Sequence, residues 1–303
     1  MREIISQDVP KIEALLEKVF SDKSYRELSR LGGLTNHTYR VLREDGSEYV
    51  LRIPGEGTEE LICRADERVS TDLACRLGID ASLLYFGEDG AKVTRYLPEA
   101  ETMNSLRLKQ AENIRRVARI FQILHRSGEN TGVPFEVFDM AKGYERIISS
   151  MKVSMFEDYS LISQRVLEIK REIDRDVSAP VVPCHNDPLC ENWVLSQGKM
   201  YLIDWEYAGM NDGMWDVADV SIEAGYSEKE DRILLEEYLE RKPTLTDRKH
   251  FLANKIYVDY LWTLWAKARV PYDGQPMEDW ATERYARLKA NLEQFVAVQE
   301  ERS

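Results

Sequence analysis

The chain has 303 residues, a formal net charge of −13 and 43% hydrophobic residues, a composition typical of a folded globular protein. The acidic balance argues against nucleic acid as a partner, because nucleic-acid binders concentrate Lys and Arg. No stretch approaches the ~20 apolar residues of a membrane span, and the first residues lack an apolar secretory core. The four cysteines form no C-x-x-C pair, which favours reduced thiols over disulfides or zinc. We therefore expect a cytoplasmic protein.

The N-terminal third predicts an antiparallel sheet with helices beside it. Apolar residues recur at helical spacing in residues 8–19, and residues 66–77 are also predicted as a helix. Alternating apolar and polar residues, with glycine-containing turns between them, predict strands. The predicted strands are residues 25–31, 38–42, 49–53, 83–86 and 92–97. Pro98 interrupts the pattern, so we take residues 1–97 as a small lobe.

The remaining residues, 98–303, predict a larger and mostly helical lobe. Residues 114–124 place their apolar positions on one helical face, with a structural histidine, His125, at the end of that helix. Residues 140–176 are charge-rich and predict one or two surface helices. No internal repeat or low-complexity linker separates these segments. The expected fold is therefore α+β, with both lobes in one continuous unit.

The segment from Cys184 to Asp219 predicts a tight β-hairpin centred on Gly198. Residues equidistant from the turn of a hairpin face each other, which would bring Asn192 and Asp204 together at its open end. Amide and carboxylate oxygens are the ligands that a hard cation such as Mg²⁺ prefers. Asp187 precedes them in the chain. The segment therefore predicts a metal site beside a potential base.

The spacing of these residues resembles that of kinases. The order His185, Asn186, Asp187 and Asn192 is similar to the catalytic loop H-x-D-x-x-x-x-N, and Asp204 occupies the place of the metal-binding aspartate of D-F-G. With the run D-W-E-Y-A-G-M-N-D that begins at Asp204, the sequence resembles the choline and ethanolamine kinases of the aminoglycoside phosphotransferase-like superfamily, most closely the bacterial choline kinases. The resemblance implies a two-lobed, protein kinase-like fold that uses ATP and Mg²⁺.

The same resemblance implies which residues bind ATP. They are Thr35, Asn36, Arg52, Glu67, Arg95 and Leu97. Thr35 and Asn36 follow a glycine pair in the expected nucleotide loop, and Arg52 replaces the strand lysine of protein kinases. Glu67 is expected to pair with Arg52, with Glu59, Glu60 and Asp66 as nearby alternatives. Backbone groups near Arg95 and Leu97 are expected to meet the adenine.

Tryptophans near the C-terminus predict a site for a cationic group. Trp262 and Trp265 are three residues apart and share one side of a helix, and Trp280 follows the next loop. Quaternary ammonium groups cannot donate hydrogen bonds, so proteins hold them against aromatic faces. Tryptophans at helical spacing also commonly pack in a core. The pattern L-W-x-x-W-A resembles the choline pocket of the family.

Together these features imply an ATP-dependent kinase that phosphorylates the hydroxyl of choline to give phosphocholine. Asp187 is expected to orient the alcohol and accept its proton, while Asn192 and Asp204 hold Mg²⁺. Glu206 would place negative charge near the ammonium of the substrate, beside the tryptophans. The alternatives are ethanolamine, another amino alcohol, thiamine or an aminoglycoside as acceptor, or a catalytically inactive protein with a kinase fold. The sequence carries no indication of oligomeric state.

Overall fold

A computed structural model of the chain describes residues 3–32, 36–55 and 63–300. Thr35, Glu59 and Glu60 lie outside these residues. The chain divides into two compact units. The first contains Met1–Met103 and Glu191–Gly209, and the second contains Asn104–Cys190 and Met210–Ser303. The division between residues 97 and 98 stays a prediction of domain organisation.

The first unit is built on an antiparallel sheet. Its elements are α1 (Val9–Phe20), β1 (Glu27–Gly32), β2 (Asn36–Leu42), β3 (Glu48–Pro54), α2 (Arg64–Arg76), β4 (Leu83–Phe86), β5 (Lys92–Arg95), β6 (Glu101–Thr102), β8 (Trp193–Ser196) and β9 (Lys199–Leu202). Within the described part of the chain, the main sheet has the strand order β1-β2-β3-β5-β4. Its core joins Leu16 of α1 to Tyr39, Leu51 and Val93 of the strands. The predicted strands are confirmed, with ends that shift by one to two residues.

A second sheet of the first unit contains the predicted hairpin, β8 and β9, and has β6 at its edge. Trp193 pairs with Leu202 and Ser196 with Lys199, so the turn consists of Gln197 and Gly198. Both turn residues have positive φ angles, 49° and 80°, as tight hairpin turns require.

The predicted pairing within this hairpin is wrong by one residue. Since the hairpin is centred between Gln197 and Gly198, Asn192 lies opposite Ile203 and not opposite Asp204. The backbone N–H of Ile203 donates to the carbonyl of Asn192 at 2.9 Å. Asn192 and Asp204 still lie at the open end of the hairpin, as the spacing indicated.

The second unit is mostly helical. Its elements are α3 (Ser105–Leu108), α4 (Ala111–His125), α5 (Val137–Ser150), α6 (Tyr159–Asp176), β7 (Val181–Cys184), β10 (Gly209–Asp212), α7 (Gly213–Ala224), α8 (Glu228–Leu239), α9 (Leu245–Asp273) and α10 (Gln275–Glu300). The charge-rich segment 140–176 thus belongs to a pair of helices, α5 and α6. Helix α7 is buried along almost its whole length and contacts α9, which also packs on α5, α6 and α10. None of the described helices combines the length and the apolar character that crossing a bilayer requires.

Candidate functional site

Arg52 of β3 and Glu67 of α2 form a buried ion pair in the first unit. Nη1 of Arg52 lies 2.5 Å from Oε1 of Glu67, and Nη2 donates to the carbonyl of Gly90 at 2.9 Å. Burial acts to raise the pKa of Glu67, but the charge and hydrogen bond of Arg52 outweigh it and hold the pKa below its ordinary value. The expected partner of Arg52 is therefore ionised, and it fixes the direction of the guanidinium.

Arg64 is a second cation at this position that the sequence reasoning missed. It is the first residue of α2, and its Nη1 donates to Oε2 of Glu67 at 2.7 Å. The same atom lies 3.7 Å from Oε2 of Glu206. The available signal was the spacing of three residues between Arg64 and Glu67, which places both side chains on one helical face.

Asp204 follows the end of β9 in a backbone conformation that suits a functional role. Its φ angle is 69°, in the left-handed region that non-glycine residues rarely adopt. Oδ1 lies 3.6 Å from Nη1 of Arg52, yet it is buried and accepts no hydrogen bond from the described residues. A buried carboxylate oxygen without a donor is well suited to bind a cation.

Asn192 lies in the short 3₁₀ turn Cys190–Asn192, directly before β8. Its side chain is largely buried, and its backbone joins it to Ile203 at the open end of the same hairpin that carries Asp204. An amide oxygen and a carboxylate oxygen form the all-oxygen donor set that Mg²⁺ takes, with water and phosphate completing its shell. The residues present therefore fit the predicted metal.

Glu206 lies among the residues of the first unit that the sequence assigned to the nucleotide. Its Oε2 accepts a hydrogen bond from Nδ2 of Asn36 at 3.4 Å. Burial, and then the negative charge of Asp204, raise the pKa of Glu206 to about 7. Its role beside the ammonium of a substrate stays a prediction, since its described contacts are with Asn36 and Arg64.

The two predicted adenine-binding positions differ in their backbone contacts. The N–H of Arg95 donates to the carbonyl of Ser82 at 2.9 Å, so the sheet already uses this group. Leu97 is half-buried just beyond β5. Any backbone N–H contact to adenine is thus expected at Leu97 rather than at Arg95.

In the second unit, Asp216 of α7 fixes the predicted catalytic loop. Its fully buried carboxylate accepts the backbone N–H groups of His185 at 2.8 Å and of Asn186 at 2.7 Å. It also contacts Nε2 of His125 at 3.0 Å. Asp187 follows directly, and its own N–H donates to Nδ1 of His185 at 3.3 Å. His125 thus has structural contacts, as the sequence predicted.

The backbone of this loop has a strained conformation at Asn186. Its φ angle is 66°, and asparagine tolerates this left-handed conformation better than most residues. Its carbonyl accepts Nε1 of Trp215 at 3.1 Å, and its side-chain oxygen accepts Nδ2 of Asn211 at 3.0 Å. These bonds hold the backbone immediately before Asp187 in one geometry, as positioning of a catalytic base requires.

The predicted tryptophans contact each other in series in the second unit. Trp262 and Trp265 lie 6.1 Å apart between ring centroids, and Trp265 and Trp280 lie 5.8 Å apart, both edge to face. Trp262 is buried, as a core residue would be, whereas Trp265 and Trp280 are half-buried. The guanidinium of Arg284 covers one face of Trp280 at 4.2 Å from the ring centroid. Trp265 and the rest of Trp280 therefore offer the accessible aromatic surface of this series.

Arg284 is also a residue that the sequence reasoning missed. It is buried in α10, forms an ion pair with Glu223 of α7, and donates from Nη1 to Oδ1 of Asp259 in α9 at 3.2 Å. These partners are 25 or more residues away in the chain, so no local spacing connects them. Only the packing of the helices shows that Arg284 contacts both the ring of Trp280 and the carboxylate of Glu223.

A family model and a known protein each match most of the chain. The model of the choline/ethanolamine kinase family matches residues 29–296. The protein LicA of Haemophilus influenzae is 29% identical over 265 residues, which cover 84% of this chain and 77% of that protein.

Solved structures of this family have a similar fold. A choline/ethanolamine kinase family protein from Mesorhizobium loti has a TM-score of 0.84 and 31% identity, over 95% of this chain and 98% of that chain. The choline kinase LicA from Streptococcus pneumoniae has a TM-score of 0.80 and 28% identity, over 95% of this chain and 100% of that chain. The predicted α+β, kinase-like fold is thereby confirmed. The chain belongs to the choline/ethanolamine kinase family, and it is a phosphotransferase with an alcohol group as acceptor.

Proposed function

We propose that the protein is an ATP-dependent choline kinase that transfers the γ-phosphate of ATP to the hydroxyl of choline and gives phosphocholine. The observation that carries the choline assignment is the contact series of Trp262, Trp265 and Trp280, because aromatic faces are what a quaternary ammonium group needs. The similarity to the choline kinase LicA supports the same acceptor. We also propose that the reaction takes place in the cytoplasm, where ATP is available as the phosphate donor.

Asp187 is proposed to act on the acceptor. Its carboxylate would orient the choline hydroxyl for attack and accept its proton as the bond to phosphorus forms. The contacts of Asp216 with the preceding backbone support this role, since they keep the loop in position without help from the substrate. Phosphoryl transfer requires little from the protein beyond such positioning and the stabilisation of charge.

The first unit is proposed to hold the nucleotide and the metal. Arg52, oriented by Glu67, would bind phosphate oxygens with its planar guanidinium, and Asn36 would contribute a polar group of the nucleotide loop. Asn192 and Asp204 would bind Mg²⁺. When bound, the ion offsets the negative charge that develops on the phosphates.

The closest alternative acceptor is ethanolamine, since the family includes kinases of both alcohols. Its primary ammonium requires hydrogen-bond acceptors, whereas the tryptophan series offers apolar and aromatic surface. An assay of ADP release with choline, ethanolamine and thiamine separates these cases. We expect the highest kcat/KM with choline. A preference for ethanolamine or thiamine would replace the acceptor in this proposal, and nucleotide binding without ADP release would indicate an inactive kinase fold.

Replacing Trp265 with alanine is expected to raise the KM for choline by about 5- to 30-fold, the effect of losing one desolvated cation–π contact of about 1–2 kcal/mol. The KM for ATP should not change. Steady-state kinetics with each substrate varied in turn measures both values. The matched control is Tyr272→Ala, which removes an exposed aromatic side chain from the same helix. Equal changes in both KM values would assign Trp265 to the core alone.

Replacing Glu67 with glutamine is expected to raise the KM for ATP by about tenfold or more, because a charged hydrogen bond of about 1.5–3 kcal/mol no longer orients Arg52. The KM for choline should stay the same. Asp66→Asn is the control, since Asp66 is the adjacent acidic residue and the rival candidate from the sequence. A larger effect at Asp66 than at Glu67 would contradict the observed pairing as the functional one.

A further inference from the structure

One face of α7 carries a row of acidic side chains. Asp216, Asp219 and Glu223 are separated by three and four residues, and they therefore lie on the same side of the helix. Asp216 binds the backbone of the catalytic loop, and Glu223 forms an ion pair with Arg284. Asp219 lies between them, about one helical turn, or roughly 5 Å, from each.

Asp219 is a buried carboxylate for which the protein supplies no direct partner among the described residues. It is 1% exposed, and neither of its oxygens has a hydrogen-bond partner there. A carboxylate buried in this way is costly unless a counterion reaches it. The charged groups that face it are Glu223 and Asp216 from its own helix, Asp187 from the catalytic loop and Arg284 from α10. Burial, and then the charge of Glu223, raise its pKa well above the ordinary value of an aspartate.

The nearby arginines are already used by other carboxylates. Arg284 contacts both Glu223 and Asp259. Arg287 also binds Asp259, with Nη2 to Oδ1 at 2.6 Å. In this part of the described structure, the carboxyl groups of Asp219, Glu223 and Asp259 thus outnumber the guanidinium groups of Arg284 and Arg287 by one. The carboxyl group without a hydrogen-bonded partner is that of Asp219.

We propose that Asp219 is a specificity-determining residue, whose buried carboxylate favours an acceptor alcohol with a positive charge over an uncharged alcohol of the same shape. This inference rests on the proposed function. The ammonium group of the acceptor is the positively charged partner that Asp219 lacks among the described residues. Aromatic side chains distinguish shape and polarisability, whereas a carboxylate distinguishes charge, so Asp219 and the tryptophans select different properties of the same substrate.

The test compares two acceptors that differ in charge and hardly in shape. They are choline and 3,3-dimethylbutan-1-ol, in which carbon replaces the quaternary nitrogen. The measured quantity is the ratio of kcat/KM for choline to kcat/KM for the neutral alcohol. In the Asp219→Asn variant this ratio is expected to fall on the order of tenfold or more, the effect of removing one charge several ångströms from the ammonium at an effective dielectric constant near 20. The KM for ATP and kcat/KM for the neutral alcohol should stay at the wild-type level.

Asp231→Asn is the matched control. Asp231 is a carboxylate of α8 that contacts α7 through Ser221, but it is paired with Lys255 at 2.5 Å. The same chemical change there is expected to leave the acceptor ratio unchanged. A folded Asp219→Asn variant that keeps the wild-type ratio would overturn the inference, and so would an equal loss in the Asp231 variant.

A measurement on the wild-type enzyme covers the case in which Asp219→Asn does not fold. A cation near Asp219 favours its ionised form and so lowers a pKa that burial has raised. Choline binding should therefore release protons when it is followed over a series of pH values. Calorimetry in buffers of different ionisation enthalpy counts these protons. We expect proton release with choline and none with 3,3-dimethylbutan-1-ol, and equal counts would overturn the inference. A wild type that does not phosphorylate choline at all would instead refute the proposed function.

Discussion

Replacing Asp187 with alanine is expected to lower kcat by about 10²- to 10⁴-fold, the usual contribution of a positioned general base. The affinity for ATP should remain at the wild-type level, because the buried pair of Arg52 and Glu67 is untouched. The loop itself should stay folded, since the bonds from Asp216 end at the N–H groups of His185 and Asn186.

Stopped assays of phosphocholine formation, nucleotide titration and thermal unfolding measure these effects separately. Asp139→Ala removes an exposed aspartate from α5 of the same unit and should leave every value unchanged. A kcat for Asp187→Ala close to that of the wild type would remove Asp187 from the reaction. A large loss of ATP affinity would show that the residue acts on the nucleotide instead.

Replacing Asp204 with asparagine is expected to raise the Mg²⁺ concentration required for half-maximal activity by at least about 10- to 100-fold. Loss of a residue that only orients a metal ligand lowers metal affinity by about this factor, and loss of a ligand itself should lower it at least as much. At fixed Mg²⁺, kcat/KM should fall by about 10²- to 10³-fold, comparable to losing one strong electrostatic contact to the transition state. The change keeps the shape of the side chain but removes the charge of a buried oxygen that accepts no hydrogen bond within the described structure.

A titration of activity with MgCl₂, repeated with MnCl₂, measures the expected shift. Glu191→Gln is the control, because it makes the same chemical change at an exposed position directly beside Asn192. A wild-type Mg²⁺ requirement in the Asp204 variant would mean that the metal is bound elsewhere. A loss of activity that no metal concentration restores, with normal nucleotide binding, would fit the assignment equally well.

The sequence predicted those parts of the site that depend on local pattern. The alternation of residues 49–53 located the strand of Arg52, and residues 66–77 were predicted as a helix. The choice of Glu67 over its acidic neighbours came from the family resemblance, and the structure shows the ion pair. The hairpin of β8 and β9 was located too, but its pairing was predicted with an error of one residue. A turn formed by Gln197 and Gly198 cannot be distinguished from one centred on Gly198 by apolar spacing alone.

The parts that the sequence could not predict join elements distant in the chain. Arg284 meets Glu223 and Asp259 only because α10 packs against α7 and α9, and no periodicity encodes that packing. The contact of Glu206 with Asn36 also joins residues distant in the chain, and the role of Glu206 beside the acceptor stays a prediction. Trp262 and Trp265 share a helical face by spacing, yet only their burial distinguishes the more enclosed ring from the more accessible one.

The hydrogen bonds from Asp216 to His185 and Asn186 have a consequence for affinity. A segment that must become ordered when a ligand arrives consumes part of the interaction energy, which weakens the measured binding. Here the bend before Asp187 is already fixed by a side chain from α7, in spite of the unfavourable backbone angle at Asn186. In the role proposed for Asp187, contacts with the alcohol can therefore contribute to holding it in the reactive orientation, because none of their energy is needed to order this loop.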